Sequence, residues 1–451
     1  YIIKIKYFKG AKQMMLFDKV LKNGIVVNAD GIGQRDIGII GEKIAYIGTI
    51  SQDSGEVINC NGLHILPGVI DSQVHFRDPG AEYKEDLITG SKAATMGGVT
   101  AIFDMPNTTP LTTTKEALEN KVNKATNNMF CDFAFWVGGT HENASHISQL
   151  ESLPAVAGIK VFMGSSTGAL LVADDEGVAS ILSQTKRRAA FHSEDEPRLI
   201  ERKHLRENNK PHTHPIWRDE IAAINCTKRL VKIAKKYNAA IHILHISTAE
   251  EIKFLKHHKD LVTMEATPHH LTFSSEDYVK LGSLIQMNPP IRDARHRTAL
   301  WYGLQQGLID VLGSDHAPHT LEEKAQAYPN SPSGMPGVQT TLPIMLDFVN
   351  KGYLTLEKLV DLTSHGPNRV FNICNKGRIA AGYDADFAVV DLKKKFIISN
   401  SDMATKVGWT PYNNMEVEGC VVGTMVRGHV AMWEGEIAGQ AFGMPVRFLG
   451  V

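Results

Sequence analysis

The sequence predicts an α/β protein, a (β/α)8 TIM barrel with a small β-sandwich domain formed by both chain ends. Two observations carry that expectation. Eight short apolar runs recur through the middle of the chain with helix-like segments between most of them, and the two ends share a different, alternating texture. A third observation tests it. Barrels place their chemistry at the C-terminal ends of their strands, so unusual polar residues should gather there.

Residues 16 to 60 alternate in β-like runs, DKVLKNGIVVN, RDIGIIG and EKIAYIGTI, divided by the turn signals Asn23-Gly24 and Asp30-Gly31. That texture returns near the C-terminus in DADFAVVDL, KFIISN and CVVGTMVRGHVAMWEGEI, so residues 1–63 and 376–451 are expected to fold together. Met14 or Met15 is the expected initiator, and the residues before it an extension. Residues 64–375 are the expected barrel. Its runs are HILPGVID (64–71), VTAIFDM (99–105), CDFAFWVG (131–138), AGIKVFM (157–163), RAAFH (188–192), AAIHILH (239–245), LVTMEAT (261–267) and IDVLGS (309–314). Between the fifth and sixth, IWRDEIAAINCTKRLVKIAKKY (216–237) predicts a helix with Ile221, Ile224, Leu230, Ile233 and Ala234 on one face. After the sixth, Thr248 and Glu251 have the spacing of a capping box.

Composition narrows the function. Of 451 residues, 43% are apolar, enough for a substantial core. A formal net charge of −1, with both signs spread along the chain, favours neither nucleic acid nor an anionic membrane as partner and leaves a small-molecule substrate. The five scattered cysteines form no CxxC pair, which fits free thiols in a reducing cytoplasm better than disulfides or a thiolate metal site. No apolar stretch reaches the length of a membrane span, and the start lacks the apolar region and cleavage site of a signal peptide.

The polar residues pass the barrel test. The first run leads into Asp71, Gln73, His75 and Arg77, the second into Pro106-Asn107, and the fourth contains Lys160. The fifth ends in His192, the sixth in His245, the seventh runs into Thr267-Pro268-His269-His270, and the eighth into Asp315-His316-Ala317-Pro318-His319. Only the third contributes nothing. Lys160 is the most informative, because a strand buried on both faces gives its ammonium a large desolvation cost. A neutral amine beside divalent metals can add carbon dioxide and become a carbamate with two ligating oxygens. With His192 and His245 on neighbouring strands, that chemistry outweighs a lysine that merely snorkels to the strand end. Imidazole and carboxylate-type oxygens suit zinc, with manganese or iron as alternatives. Asp315, after an apolar strand, can ligate metal and carry protons.

Three stretches are set aside. His212-Thr213-His214 is a second HxH but lies in a proline-flanked loop, so it reads as a surface or lid feature. SSTGALL lacks the lysine and spacing of a P-loop. KHHKD reads as a solvated helix end.

With DSQVHFRDPG, DMPNTTP, GIKVFMGSSTG, HSEDE, HILHIST, EATPHHL, NPPIRD, GSDHAPHTLEEK and GYDADFAVVD in order along nearly the whole chain, the sequence resembles the cyclic amidohydrolases, and among them the dihydroorotases. The resemblance implies a metal-dependent barrel enzyme. One metal would be held by a Lys160 carbamate, His192 and His245; the other by the same carbamate, the HxH pair and Asp315. A bridging hydroxide would be the nucleophile, and Asp315 would shuttle its proton to or from the ring nitrogen. Arg77 offers a bidentate fork for a substrate carboxylate, expected on the same strand face as His75. Hydantoinases and allantoinases resemble the chain at Lys160 and the histidines but usually lack that arginine, which favours the dihydroorotases. Asn107, Asn288 and His319 are further substrate contacts by resemblance, as is a homodimer. The long stretch 316–337 is expected to close over substrate with Ser333 and Gly334 near the ring.

One letter departs from the pattern. Where the metal motif has His-x-His, this chain has Gln73 before His75. A neutral amide oxygen is a poorer zinc ligand than imidazole, so one zinc is expected to bind firmly and the second to be weak, shifted or absent. A non-catalytic scaffold is the rival from another class, but it predicts several ligands lost together.

Overall fold

The eight apolar runs become eight parallel strands in sequential order: β1 (Val69–Val74), β2 (Val99–Asp104), β3 (Asp132–Gly138), β4 (Val156–Phe162), β5 (Ala189–His192), β6 (Ile241–Ile243), β7 (Val262–Ala266) and β8 (Val311–Leu312). The computed structural model describes residues 16–51, 55–165 and 170–450. The expected extension before Met14 or Met15 lies outside the described residues, as does most of SSTGALL. The barrel closes just beyond β8, where Val74 bridges His316 in parallel and His75 N donates to His316 O at 2.7 Å.

Helices cover the outside, and their starts are chemically marked. Asp86 caps Leu87–Met96 in a capping box with Thr89, and Thr114, Asp174 and Asp219 cap the helices Lys115–Ala125, Asp175–Gln184 and Glu220–Tyr237. The helix expected over 216–237 therefore begins later. Asp219 takes the cap by accepting from Ala222 N, and a separate short turn, His214–Trp217, precedes it. Its buried face runs through Ala223, Cys226, Thr227, Leu230 and Ala234, and Ile221, off that stripe, is 41% exposed. Thr248 does cap Ala249–Leu255, accepting from Glu251 N at 3.1 Å and donating to the Glu251 carboxylate at 2.7 Å.

Both chain ends build one nine-stranded sheet. Its N-terminal strands are Lys19–Asn28, Gly31–Ile40, Lys43–Gly48, Glu56–Asn59 and His64–Pro67; its C-terminal ones are Phe387–Ile397, Glu416–Val426, His429–Trp433 and Glu436–Ile437. The two sets join where His64–Pro67 pairs antiparallel with Phe387–Val390. The first apolar run thus divides at Gly68, half in this sheet and half in the barrel. Asn23-Gly24 is a bulge inside the first strand instead of a turn, with Asn23 in the left-handed region at φ 62. Asp30-Gly31 makes the expected hairpin.

The lower end of the barrel is plugged. Phe103 and Trp136 pack against Phe371 with centroids 5.7 and 5.5 Å away, and Phe448 joins Phe103 at 5.6 Å. Beside this plug lies a buried ionic cluster that ties β3 to the C-terminal segment. Lys376 Nζ is 2.7 Å from Asp132, 2.7 Å from Asp386 and 3.2 Å from Asp384, and Arg427 Nε reaches Asp132 at 3.1 Å. The C-terminal ends of the strands are left as the open end for chemistry.

Removing the ammonium leaves buried Asp386 without its cation, Asp132 with Arg427 alone and Asp384 with Lys43 alone. Lys376→Met is expected to lower stability by about 3–5 kcal/mol, read as a drop in the urea midpoint; an unchanged midpoint would show that the cluster does not hold the barrel to the end sheet.

Candidate functional site

β5 delivers His192 at its last residue, and His245 follows β6 with its backbone in the left-handed region at φ 37. His192 Nδ1 and His245 Nε2 stand 3.2 Å apart, with the ring planes 77° apart. The other nitrogen, His192 Nε2, lies 2.9 Å from Glu194 Oε2. A carboxylate oxygen only accepts, so Nε2 carries the hydrogen and the Nδ1 lone pair faces His245. Burial lowers the pKa of both imidazoles, against the pull of Glu194 on His192. Burial works to raise Glu194, but Arg218, 2.5 Å away, and His192 outweigh it and hold the carboxyl well below its ordinary range.

A second pair faces the same space. His75 Nδ1 is 2.7 Å from Asn107 Oδ1, which turns His75 Nε2 toward Asp315 Oδ1 at 3.3 Å. Asp315, just past β8, also has positive φ at 47. Left-handed backbone at non-glycine residues is strained and concentrates at functional sites. Gln73 Nε2 donates to the same Asp315 oxygen at 2.9 Å, while Gln73 Oε1 is buried without a partner.

Lys160 lies inside β4, in register with Gly138 of β3 and Ala190 of β5. It is 1% exposed, and its Nζ has no hydrogen-bond partner. Burial lowers its pKa to about 7, opposed by Asp315 and Glu265, so the neutral amine is well populated at neutral pH.

These donors can be tested against a metal. Two ligands at 2.0–2.1 Å from a tetrahedral ion lie about 3.3 Å apart, and the two pairs are separated by 3.2 and 3.3 Å. Among the described residues no group of three His, Cys, Asp or Glu side chains forms a metal cluster. Each pair lacks a third ligand of those types, and Lys160 is the remaining reactive side chain lining the same cavity. The set fits a metal only in pairs completed by that lysine.

Of the expected substrate contacts, Asn288, Ser333 and Gly334 line the cavity with both pairs and Lys160, and Arg77, Asn107 and His319 stand outside its lining. The cavity measures about 20 Å³ and is narrowed by Met287 and Ala317. Larger grooves of about 660 and 680 Å³ lie around Val279 and around His146, but neither gathers the strand-end residues. β1 has ended by Val74, so Arg77 is aimed by a left-handed turn at φ 61 and not by strand alternation. Arg77 Nε donates to Pro318 O at 3.2 Å, Nη2 lies 3.3 Å from His319 Nε2, and no carboxylate pairs with it among the described residues. Burial lowers it to about 10, which leaves it charged at neutral pH. Lys84 holds the far side of His319, with Nζ 3.1 Å from Nδ1.

The stretch 316–337 packs onto this site. Lys324 is its tether, donating to Pro332 O and Gly334 O at 2.9 Å each and to Gln286 O at 3.3 Å. His214, expected at the surface, is instead buried, with Nε2 2.9 Å from Asn288 Oδ1; His212 is exposed. His269 and His270 are spent on Tyr412 and on Thr267 and Pro289, and His316 on Glu85. Glu194, Arg218, Lys84 and His214 carry no strand-end signal, and only HSEDE, an acid two residues after a strand-end histidine, hinted at one of them.

The profile of the amidohydrolase family matches residues 64–431. A dihydroorotase from Methanosphaera stadtmanae is 37% identical over 83% of this chain and 86% of its own length. One from Pyrococcus abyssi is 35% identical over 96% and 98%. Among solved structures, an L-hydantoinase (dihydropyrimidinase) from Arthrobacter aurescens superposes with a TM-score of 0.91 at 29% identity, covering 96% of this chain and all of that one.

If Asn107 sets the tautomer that turns His75 inward, Asn107→Ala should weaken metal retention by about 10–100-fold, measured by competition with a chromophoric chelator. Retention equal to the parent would rule out that role.

Proposed function

The chain belongs to the amidohydrolase family, and from that premise we propose that it is a dihydroorotase, interconverting (S)-dihydroorotate and N-carbamoyl-L-aspartate in pyrimidine synthesis. The observation that carries the reading is Arg77, a buried guanidinium two residues after His75 with no paired carboxylate among the described residues. A neutral ring such as hydantoin leaves that charge unanswered, whereas a ring bearing a carboxylate pairs with it. The likeness to the Arthrobacter aurescens L-hydantoinase supports the neighbouring reading, opening of an uncharged cyclic amide, and Arg77 separates the two.

The donor pairs support a place for the cofactor. His192 Nδ1, His245 Nε2 and a carbamate on Lys160 would hold the firm zinc, and His75, Asp315 and the same carbamate the weaker one. When bound, the metal polarises the ring carbonyl and lowers the pKa of water toward ~7. The chain's own residues do the rest. Glu194 and Asn107 fix the two histidine tautomers. Asp315 takes and returns the proton at the ring nitrogen, its Oδ1 steadied by Gln73 Nε2. That bond also supports a weakened second position, because an amide N–H aimed at Asp315 is a donor and cannot ligate. Arg77 binds the carboxylate, with Asn107, Asn288 and His319 as further contacts, and the stretch 316–337, bringing Ser333 and Gly334 over the ring, excludes water. A cavity of about 20 Å³ admits roughly one water, so that stretch has to draw back for a ring to enter. A homodimer in the cytoplasm completes the reading by resemblance. Among the described residues no helix is long and apolar enough to cross a membrane.

Purified protein assayed with dihydroorotate, hydantoin, dihydrouracil and allantoin is expected to open dihydroorotate; turnover of the neutral rings alone overturns the assignment. Arg77→Lys should raise KM for dihydroorotate by about tenfold or more, since a point charge replaces a bidentate fork. Metal content in chelator-free preparations is expected near one zinc per chain, rising toward two in Gln73→His; two tightly held metals in the parent would refute the weakened position.

A further inference from the structure

His214 comes from the segment after β5, at the start of the short turn His214–Trp217, yet it touches residues from three other places. Nε2 lies 3.1 Å from Met287 O and 2.9 Å from Asn288 Oδ1, Nδ1 lies 3.4 Å from the Tyr328 hydroxyl, and Ser333 Oγ stands 3.5 Å from Nε2. The first contact decides the tautomer. A backbone carbonyl only accepts, so Nε2 carries the hydrogen and Nδ1 is left to accept from Tyr328. The same N–H then meets the amide oxygen of Asn288. Because an amide presents its oxygen and nitrogen on opposite sides, Asn288 Nδ2 is the polar atom left for the cavity that Asn288 lines.

We propose that His214 is a positioning residue that locks Asn288 with its N–H group toward the cavity, so that the part of a substrate meeting it must present an acceptor oxygen, a carbonyl or carboxylate, and not an N–H. This rests on the cavity being the substrate pocket. Burial and the nearby Arg218 lower the pKa of His214 to about 3, which keeps the ring neutral through the physiological range and the arrangement intact. Without the lock, Asn288 is free to turn over and its discrimination between acceptor and donor disappears.

Two measurements test it. Long-range proton–nitrogen NMR on the nitrogen-15 histidine-labelled protein, with His214 assigned by its absence from the His214→Gln spectrum, should show the neutral Nε2–H tautomer. The Nδ1–H tautomer or an imidazolium overturns the proposal. In the kinetic arm, His214→Phe should raise KM for dihydroorotate by about tenfold with kcat changed far less, and His214→Gln, which keeps an N–H donor, should recover most of the loss. In an Asn288→Ala background the same His214→Phe change should cost under about twofold. An undiminished cost there means that His214 acts on packing and not through Asn288. If the parent protein fails to turn over dihydroorotate, the assigned reaction fails, while the tautomer measurement still decides the role of His214.

Discussion

Lys160 places a primary amine inside a strand whose seven residues are all buried, and nothing among the described residues offers that amine a hydrogen bond. The cost of a bare ammonium there governs its surroundings. The same interior pushes Glu265 up to about 8 and Asp71 up to about 7, both by burial, and lowers the pKa of His192 and His245. A low-dielectric barrel thus selects neutral forms: an amine with a lone pair, imidazoles with lone pairs, and carboxyls reluctant to ionise. That set is poorly satisfied alone. Among the described residues Lys160 Nζ and Gln73 Oε1 are both left without a hydrogen-bond partner around one cavity, which fits the proposal that a cation completes the site.

Most of this was legible because it is periodic or local. Eight apolar runs are one signal repeated eight times, and a barrel converts their last residues into neighbours, so His75, Lys160, His192, His245 and Asp315 could be grouped without coordinates. What stayed hidden depends on contacts between distant loops. His214 looked like a surface residue because its sequence neighbours are prolines and polar groups; it is buried by Met287, Asn288 and Tyr328, 73 to 114 positions away. Arg218 sat inside an expected helix, but the Asp219 cap starts that helix later and leaves Arg218 free to reach Glu194. Asn23-Gly24 read as a turn because left-handed backbone serves bulges and turns alike.

Gln73 shows how one substitution changes a site without emptying it. In place of a ligand it supplies an N–H to Asp315, so the carboxylate keeps a partner on that oxygen whether or not a cation is present. The histidine pair on β5 and β6 is untouched by this, since its orientation comes from Glu194 and Arg218 on another part of the wall. On the proposed metal-binding reading, the effect of Gln73 is therefore confined to one half of the site, unlike the concerted loss expected of a scaffold with no chemistry.

The closed mouth bears on the proposed recognition of a carboxylate by Arg77. A guanidinium 8% exposed and without a paired carboxylate among the described residues has already been stripped of most of its water. That cost is borne by the fold, through the Lys324 tether and the bonds that hold 316–337 in place. A carboxylate arriving at Arg77 thus meets a charge that needs little further desolvation, in surroundings where the attraction is stronger than in water. A neutral ring gains nothing from that arrangement and leaves the buried charge unanswered. On that proposal, discrimination against uncharged cyclic amides rests on the burial of Arg77 as much as on its fork, and an equally placed but solvent-exposed arginine would discriminate less.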